Sequence, residues 1–162
     1  MPFLYRLSSD ATLVTKQLRQ ALQQVLIKHQ SLRTSLVYDT DQNILMQRII
    51  DQTDSNSKEL FVFIESTFET DEQLNNIIHD EQYNSQHFDL TQGLVFRCHI
   101  VQYKQIPSND LLSDNNALIF NFHHALFDFP SMDVFFRDLN QAYTTGQLTT
   151  DDGTTLCYLG CE

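Results

Sequence analysis

Apolar and polar positions alternate along this chain in two rhythms, and the rhythms divide it into elements. Residues 3–7 predict a short strand. Residues 11–29 place Val14, Leu18, Ala21, Leu22, Val25 and Leu26 at steps of three and four, which makes one face of an amphipathic helix. Ser8, Ser9 and Asp10 precede it and supply a helix cap. Residues 32–38 and 44–50 predict two strands, and the polar stretch 39–43 between them predicts the turn of a hairpin. Residues 51–58 are polar and predict a surface loop. A strand follows at 61–65, then a helix at 71–82 with Leu74, Ile77 and Ile78 on its inner face. Residues 88–93 predict a turn, 94–103 a strand and 106–116 a polar loop. Residues 117–122 are apolar enough for a central strand. In the last helix, Met132, Phe135, Phe136, Leu139 and Tyr143 share one face, and Ser131 is its candidate cap. Beyond Gly146 the chain turns polar, which predicts a frayed tail.

Strands and helices alternate irregularly, with at least one hairpin, so the expected class is α/β or α+β with a mixed sheet. The 162 residues suffice for one domain with a real core, and 41% of them are hydrophobic, twelve Phe and six Tyr included. No apolar run approaches the ~20 residues of a membrane span. The first residues carry no basic stretch followed by a long apolar one, so an intracellular, cytoplasmic chain is expected. Ten Lys and Arg against 21 Asp and Glu give a formal charge of −11. A phosphate-binding surface needs clustered cations, so neither nucleic acid nor an anionic membrane is expected as a partner. Three cysteines, Cys98, Cys157 and Cys161, are an odd count that argues against a disulfide framework. Cys98 lies in an apolar segment and is expected in the core. Cys157 and Cys161 lack the further spaced ligands of a zinc site.

One segment carries concentrated chemistry. His123 and His124 stand where the strand 117–122 gives way to the last helix, and Asp128 follows four residues after the second imidazole. Neutral imidazole takes a proton near physiological pH, and a nearby carboxylate can fix its environment. Two histidines and an aspartate also raise the question of a metal. Adjacent side chains on an extended strand point to opposite faces, which argues against one. No spacing suggests a Ser or Cys nucleophile.

The run His123-His124-Ala125-Leu126-Phe127-Asp128 resembles the HHxxxDG motif of nonribosomal peptide synthetase condensation domains, which belong to the chloramphenicol-acetyltransferase-like acyltransferase superfamily. Lys28-His29-Gln30-Ser31-Leu32-Arg33-Thr34-Ser35-Leu36 is similar to that family's RHExLRTxF motif. Phe88-Asp89-Leu90 with Gly93, Leu94 and Arg97 is similar to its FDLxxGPLxR segment. The three occur in family order. The resemblance implies an α/β sandwich lobe over residues 1–145, the N-terminal half of a two-lobed domain, with 146–162 as a polar tail leading toward a C-terminal lobe.

The resemblance also implies an activity, in which an acyl or peptidyl thioester on one carrier protein is joined to an amine on another, forming an amide. No cofactor is implied on the lobe itself. Phosphopantetheine arms of peptidyl or acyl carrier proteins bring the substrates. The other implied partner is a C-terminal lobe or another copy of the chain. By position, His124 matches the catalytic histidine and His123 a supporting one. Asp128 matches the motif aspartate, whose role is structural through an ion pair with arginine; Arg33, Arg97 and Arg137 are the candidates. Phe129 stands where the motif has glycine, which permits backbone geometry and close approach that a β-carbon forbids. One lobe alone is expected to be inactive. A non-catalytic carrier-protein-binding module and an oligomeric acyltransferase with a shared site are the alternatives.

Overall fold

The computed structural model describes residues 1–9, 11–51, 61–104 and 110–149. The chain opens with β1 (Pro2–Arg6), a two-residue β2 (Leu13–Val14) and α1 (Thr15–Lys28). A 3-10 turn (Gln30–Arg33) leads into the hairpin of β3 (Thr34–Asp39) and β4 (Ile44–Ile49). Then come β5 (Val62–Phe68), α2 (Asp71–Tyr83), β6 (Phe96–Tyr103), β7 (Leu111–Leu112), β8 (Ala117–Phe122) and α3 (Ser131–Thr145). Four strands make the main sheet in the order β1-β8-β6-β5. β8 runs antiparallel to both neighbours, and β5 runs parallel to β6. The sheet is therefore mixed and flanked by helices, as the element pattern predicts.

All six residues of β8 are buried. Their alternation sends Leu118, Phe120 and Phe122 to one face, where α1 and α3 contribute Leu18, Leu22, Val25, Phe135 and Leu139. Ala117 and Ile119 go to the other face, among Phe68, Val101 and Leu74 of α2. The larger cluster is rich in rings. Phe122 stacks on Phe127 at 3.9 Å and meets Phe135 edge-on at 5.1 Å. Burying a side chain of this size stabilises the fold by about 1.5–3 kcal/mol. Cys98 lies in the same cluster, and burial raises its thiol well above the ordinary value.

Several boundaries differ from the expectation. α1 starts at Thr15 with Val14 as its cap residue, not after Ser8, Ser9 and Asp10. Ala11 instead closes a turn onto the Ser8 carbonyl, and Asp10 lies outside the described residues. Leu13 and Val14 pair with Leu112 and Leu111, so part of the expected 106–116 loop is a strand. Leu32 falls in the 3-10 turn, so the first hairpin strand begins at Thr34. β5 runs on to Phe68 because its parallel partner β6 continues beside it to Tyr103. Leu148 packs partly buried against the core, so the tail is held for at least two residues past Gly146. The expected loop at 52–58 and the cysteines Cys157 and Cys161 lie outside the described residues.

Two polar clamps hold α1. The Asp138 carboxylate of α3 is fully buried and receives Lys28 Nζ at 2.9 Å and His29 Nε2 at 2.7 Å. Burial pushes Asp138 up, and hydrogen bonds from Lys28, Arg137 and His29 outweigh it, leaving the group below its ordinary value. Arg33 donates to the carbonyls of Leu26 and Ile27 near the end of α1 and to Ile50 O beyond β4 at 2.7 Å. It thus satisfies carbonyls that the helix leaves without partners and ties them to the hairpin.

Gly93 closes the turn that docks on this hairpin, where Leu36 N donates to Leu90 O at 2.8 Å. Its φ is +70°, and an added Cβ would lie 2.8 Å from Ile50 Cγ1. We expect Gly93→Ala to destabilise the chain by about 1–3 kcal/mol through strain and overlap together. Thermal melting by circular dichroism measures it, and an unchanged midpoint would contradict the role given to this turn.

Candidate functional site

β8 ends at Phe122, and the chain turns at once. His123 N donates to Val95 O at 2.9 Å, and Leu126 N returns to His123 O at 3.1 Å. Because the two histidines lie in this turn and not on the strand, the alternation expected of adjacent strand residues does not apply. Their rings stack, with centroids 4.7 Å apart and planes 20° from parallel. His123 is half-buried, and its Nδ1 accepts from Ala125 N at 3.2 Å. The ring edge of Phe88 meets it at 5.4 Å, so the 88–93 turn and the histidine turn touch. His124 is exposed. One imidazole is thus fixed by backbone and aromatic contacts, while the other stands open to solvent. Burial lowers the His123 pKa, and the neighbouring His124 ring and the N-terminal amine lower it further.

Asp128 takes a different role from the one expected. It is exposed, and its Oδ1 accepts from Ser131 N at 3.1 Å and from the Ser131 hydroxyl. It therefore caps α3, meeting an N–H that the first helical turn leaves without a partner. Ser131, the expected cap, is instead the first helical residue and the donor. The arginines expected at Asp128 are engaged elsewhere among the described residues: Arg33 on the α1 carbonyls, Arg97 on Glu81 and Arg137 on Asp138. A surface carboxylate gains little from an ion pair, whereas these buried acceptors need a donor.

Phe129 is 73% exposed, with its ring 6.2 Å from that of Phe3. Among the described residues, the non-glycines with positive φ are Asn43 and Asp110. Phe129 therefore sits in a backbone conformation open to any side chain. What it changes, relative to a glycine, is the bulk of an exposed ring.

Asn121, one residue before the end of β8, joins a buried polar network centred on Glu81. Glu81 of α2 is 3% exposed. Its Oε1 accepts from Arg97 Nε at 2.9 Å and meets His99 Nδ1 at 2.7 Å. Asn121 Nδ2 donates to Glu81 Oε2 at 3.0 Å and to the Glu81 carbonyl at 2.6 Å. His99 Nε2 lies 2.7 Å from Ser66 Oγ. Burial pushes the Glu81 carboxyl up, but the hydrogen bonds from His99, Asn121 and Arg97 and the Arg97 charge overcome it, leaving a pKa of about 2. One signal was available in the sequence. Glu81 falls four residues after Ile77 and seven after Leu74, so an acid stood on the helix's inner face. Asp138 likewise falls three residues after Phe135.

A family model described as condensation domain matches residues 5–155. The hybrid PKS-NRPS synthetase apdA of Emericella nidulans is 29% identical over 126 residues, which is 76% of this chain and 3% of that protein. Fusarin C synthetase of Gibberella moniliformis is 30% identical over 135 residues, 82% of this chain and 3% of that protein. The chain thus spans a small fraction of the curated relatives it matches. Among solved structures, the epimerization domain from the third module of tyrocidine synthetase B shares the fold, with a TM-score of 0.68 at 21% identity over 90% of this chain and 30% of that one. The X-domain from teicoplanin biosynthesis has a TM-score of 0.61 at 28% identity, over 91% of this chain and 29% of that one.

Two outcomes follow from the geometry. Glu81→Gln is expected to cost roughly 3 kcal/mol, because it leaves the Arg97 guanidinium without its counter-charge under α2. The stabilisation from Glu81 is complete above its ordinary value of 4.5 and is lost as pH falls toward about 2. Denaturant unfolding of both proteins from pH 7 to pH 3 checks the cost and its pH dependence. His123 is expected to titrate below the ordinary histidine value of 6.5. Since folding lowers its pKa, its contribution is present above 6.5 and is lost as pH falls through the folded value. An imidazole NMR titration placing His123 above 6.5 would contradict its half-buried setting.

Proposed function

The chain belongs to the condensation-domain family, and on that premise we propose that it is the N-terminal lobe of an amide-forming condensation domain in nonribosomal peptide synthesis. The observation that supports this best is the exposed His124 ring on a turn anchored at the end of the central strand. In this reading, residues 1–145 form the lobe and residues beyond lead toward a second one. Peptidyl or acyl carrier proteins present their thioesters on phosphopantetheine arms, in the cytoplasm. The acceptor amine attacks the donor carbonyl, the carrier thiol leaves, and the amine gives up a proton. His124 orients that amine or takes its proton, since a neutral imidazole near the amine can do both. His123 holds the turn beneath it. Asp128 acts at one remove, by fixing the start of α3.

The lobe alone offers half a cleft. Holding two thioester-bound substrates in reacting geometry supplies much of the rate of such a reaction, and one wall cannot hold both. The second wall comes from a C-terminal lobe or from another copy of the chain. The exposed Phe129 ring favours a second reading, a non-catalytic carrier-binding module, because it adds a solvent-exposed ring where the motif has glycine.

The test is amide formation from loaded donor and acceptor carrier proteins. The chain alone is expected to give no product. With a C-terminal condensation lobe supplied, product is expected to form and to fall by about 10²–10⁴-fold in His124→Ala. Turnover by the monomer alone, lost in His124→Ala, would overturn the half-site reading. Carrier-protein binding without turnover in any combination, restored by Phe129→Gly, would support the binding-module reading.

A further inference from the structure

We propose that Ser66, His99 and Glu81 form a second, independent site in which Ser66 is an acyl-accepting nucleophile for small esters or thioesters. The residues come from three elements: Ser66 from β5, His99 from β6 and Glu81 from α2. None belongs to the histidine turn.

The connectivity is that of an activated serine. Glu81 Oε1 lies 2.7 Å from His99 Nδ1, and His99 Nε2 lies 2.7 Å from Ser66 Oγ. Glu81 is an acceptor there, because Arg97 donates to the same oxygen and Asn121 to the other. A carboxylate acceptor requires the His99 proton on Nδ1. Neutral imidazole then carries its lone pair on Nε2, so Ser66 donates and Nε2 accepts. The tautomer that a base needs is thus imposed by the partners of Glu81, and the base is in contact with the hydroxyl it would deprotonate.

Access comes from the edge. β5 is an outer strand of the sheet, and Ser66 on it is half-buried, not sealed. A shallow groove lined by Thr67, Glu69, Gln73, Asn76, Ile77 and Lys104 begins one residue beyond Ser66, with Ile77 one turn before Glu81 on α2.

The step balances. The Ser66 oxygen bonds to the acyl carbon as its proton passes to His99 Nε2. The thiol or alcohol then leaves with that proton. Water attacks the acyl-serine, giving its proton to His99, and the acid departs as the Ser66 hydroxyl is restored.

The test treats the full chain with a biotinylated fluorophosphonate, which forms an oxygen–phosphorus bond to an activated serine as fluoride leaves. Peptide mass spectrometry is expected to find the adduct on Ser66, forming about a hundredfold more slowly in His99→Gln. In parallel, acid quenching of the unmodified protein during turnover of p-nitrophenyl acetate is expected to trap acetyl-Ser66, a measurement that needs no variant to fold. A folded protein that yields neither adduct at Ser66, or equal Ser66 labelling in a folded His99→Gln, would overturn the proposal. Loss of the His124-dependent amide reaction would leave it standing, since the two sites share no side chain.

Discussion

A strand buried on both faces is the constraint on which the rest of this structure depends. β8 lies between β1 and β6, covered by α1 and α3 on one side and by α2 on the other. A slip of one residue would exchange Phe120 and Phe122 with Ile119 and Asn121, sending two rings into the smaller cluster and an amide into the aromatic one. The register is therefore specified by packing alone. The end of that strand determines where His123 and His124 stand, and the Val95 carbonyl and the Phe88 ring determine how His123 lies. The precision of the histidine turn is inherited from the core behind it.

The charged residues divide by what they hold. Asp138 and Glu81 are buried carboxylates, each surrounded by donors from other elements, and each joins a helix to the rest of the fold. Asp128 is an exposed carboxylate that acts locally, on the first turn of α3. Arg33 works on backbone carbonyls. The motif-like segments at 28–36 and 88–97 thus supply staples between elements. Asp138 receives Lys28 and His29, Glu81 receives Arg97, and Phe88 touches His123. A lobe built this way presents one imidazole to solvent and, by burial, lowers the pKa of its partner.

The Glu81 network shows how far buried polarity can be from idle. A single carboxylate organises Arg97, His99 and Asn121, and through His99 it reaches Ser66 on the edge strand. Among the described residues no partner reaches the buried Asn121 Oδ1, so even this network leaves one acceptor unmet there. Its neighbours all donate toward Glu81, which gives the assembly a fixed direction.

Periodicity was sufficient for the elements whose burial is one-sided or complete. The steps of three and four in α1, α2 and α3, the hairpin of β3 and β4, and the apolar run of β8 were all legible in the sequence, because a buried face leaves a repeating pattern in the chain that forms it. The histidine motif was legible too, as adjacent residues with distinctive chemistry. The strand pair of Leu13–Val14 with Leu111–Leu112 was not, since two residues carry no period and their pairing spans the length of the chain. Nor was the stacking of His123 on His124, which depends on the strand ending at Phe122 and not one residue later. The partners of Asp128, Arg33, Arg97 and Arg137 were decided only in three dimensions. A charge chooses among partners by distance and by the burial of each alternative, and neither quantity exists until the chain has folded. Ser66, His99 and Glu81 lie 15 and 18 residues apart in sequence order and meet only because β5 pairs with β6 and α2 crosses above them.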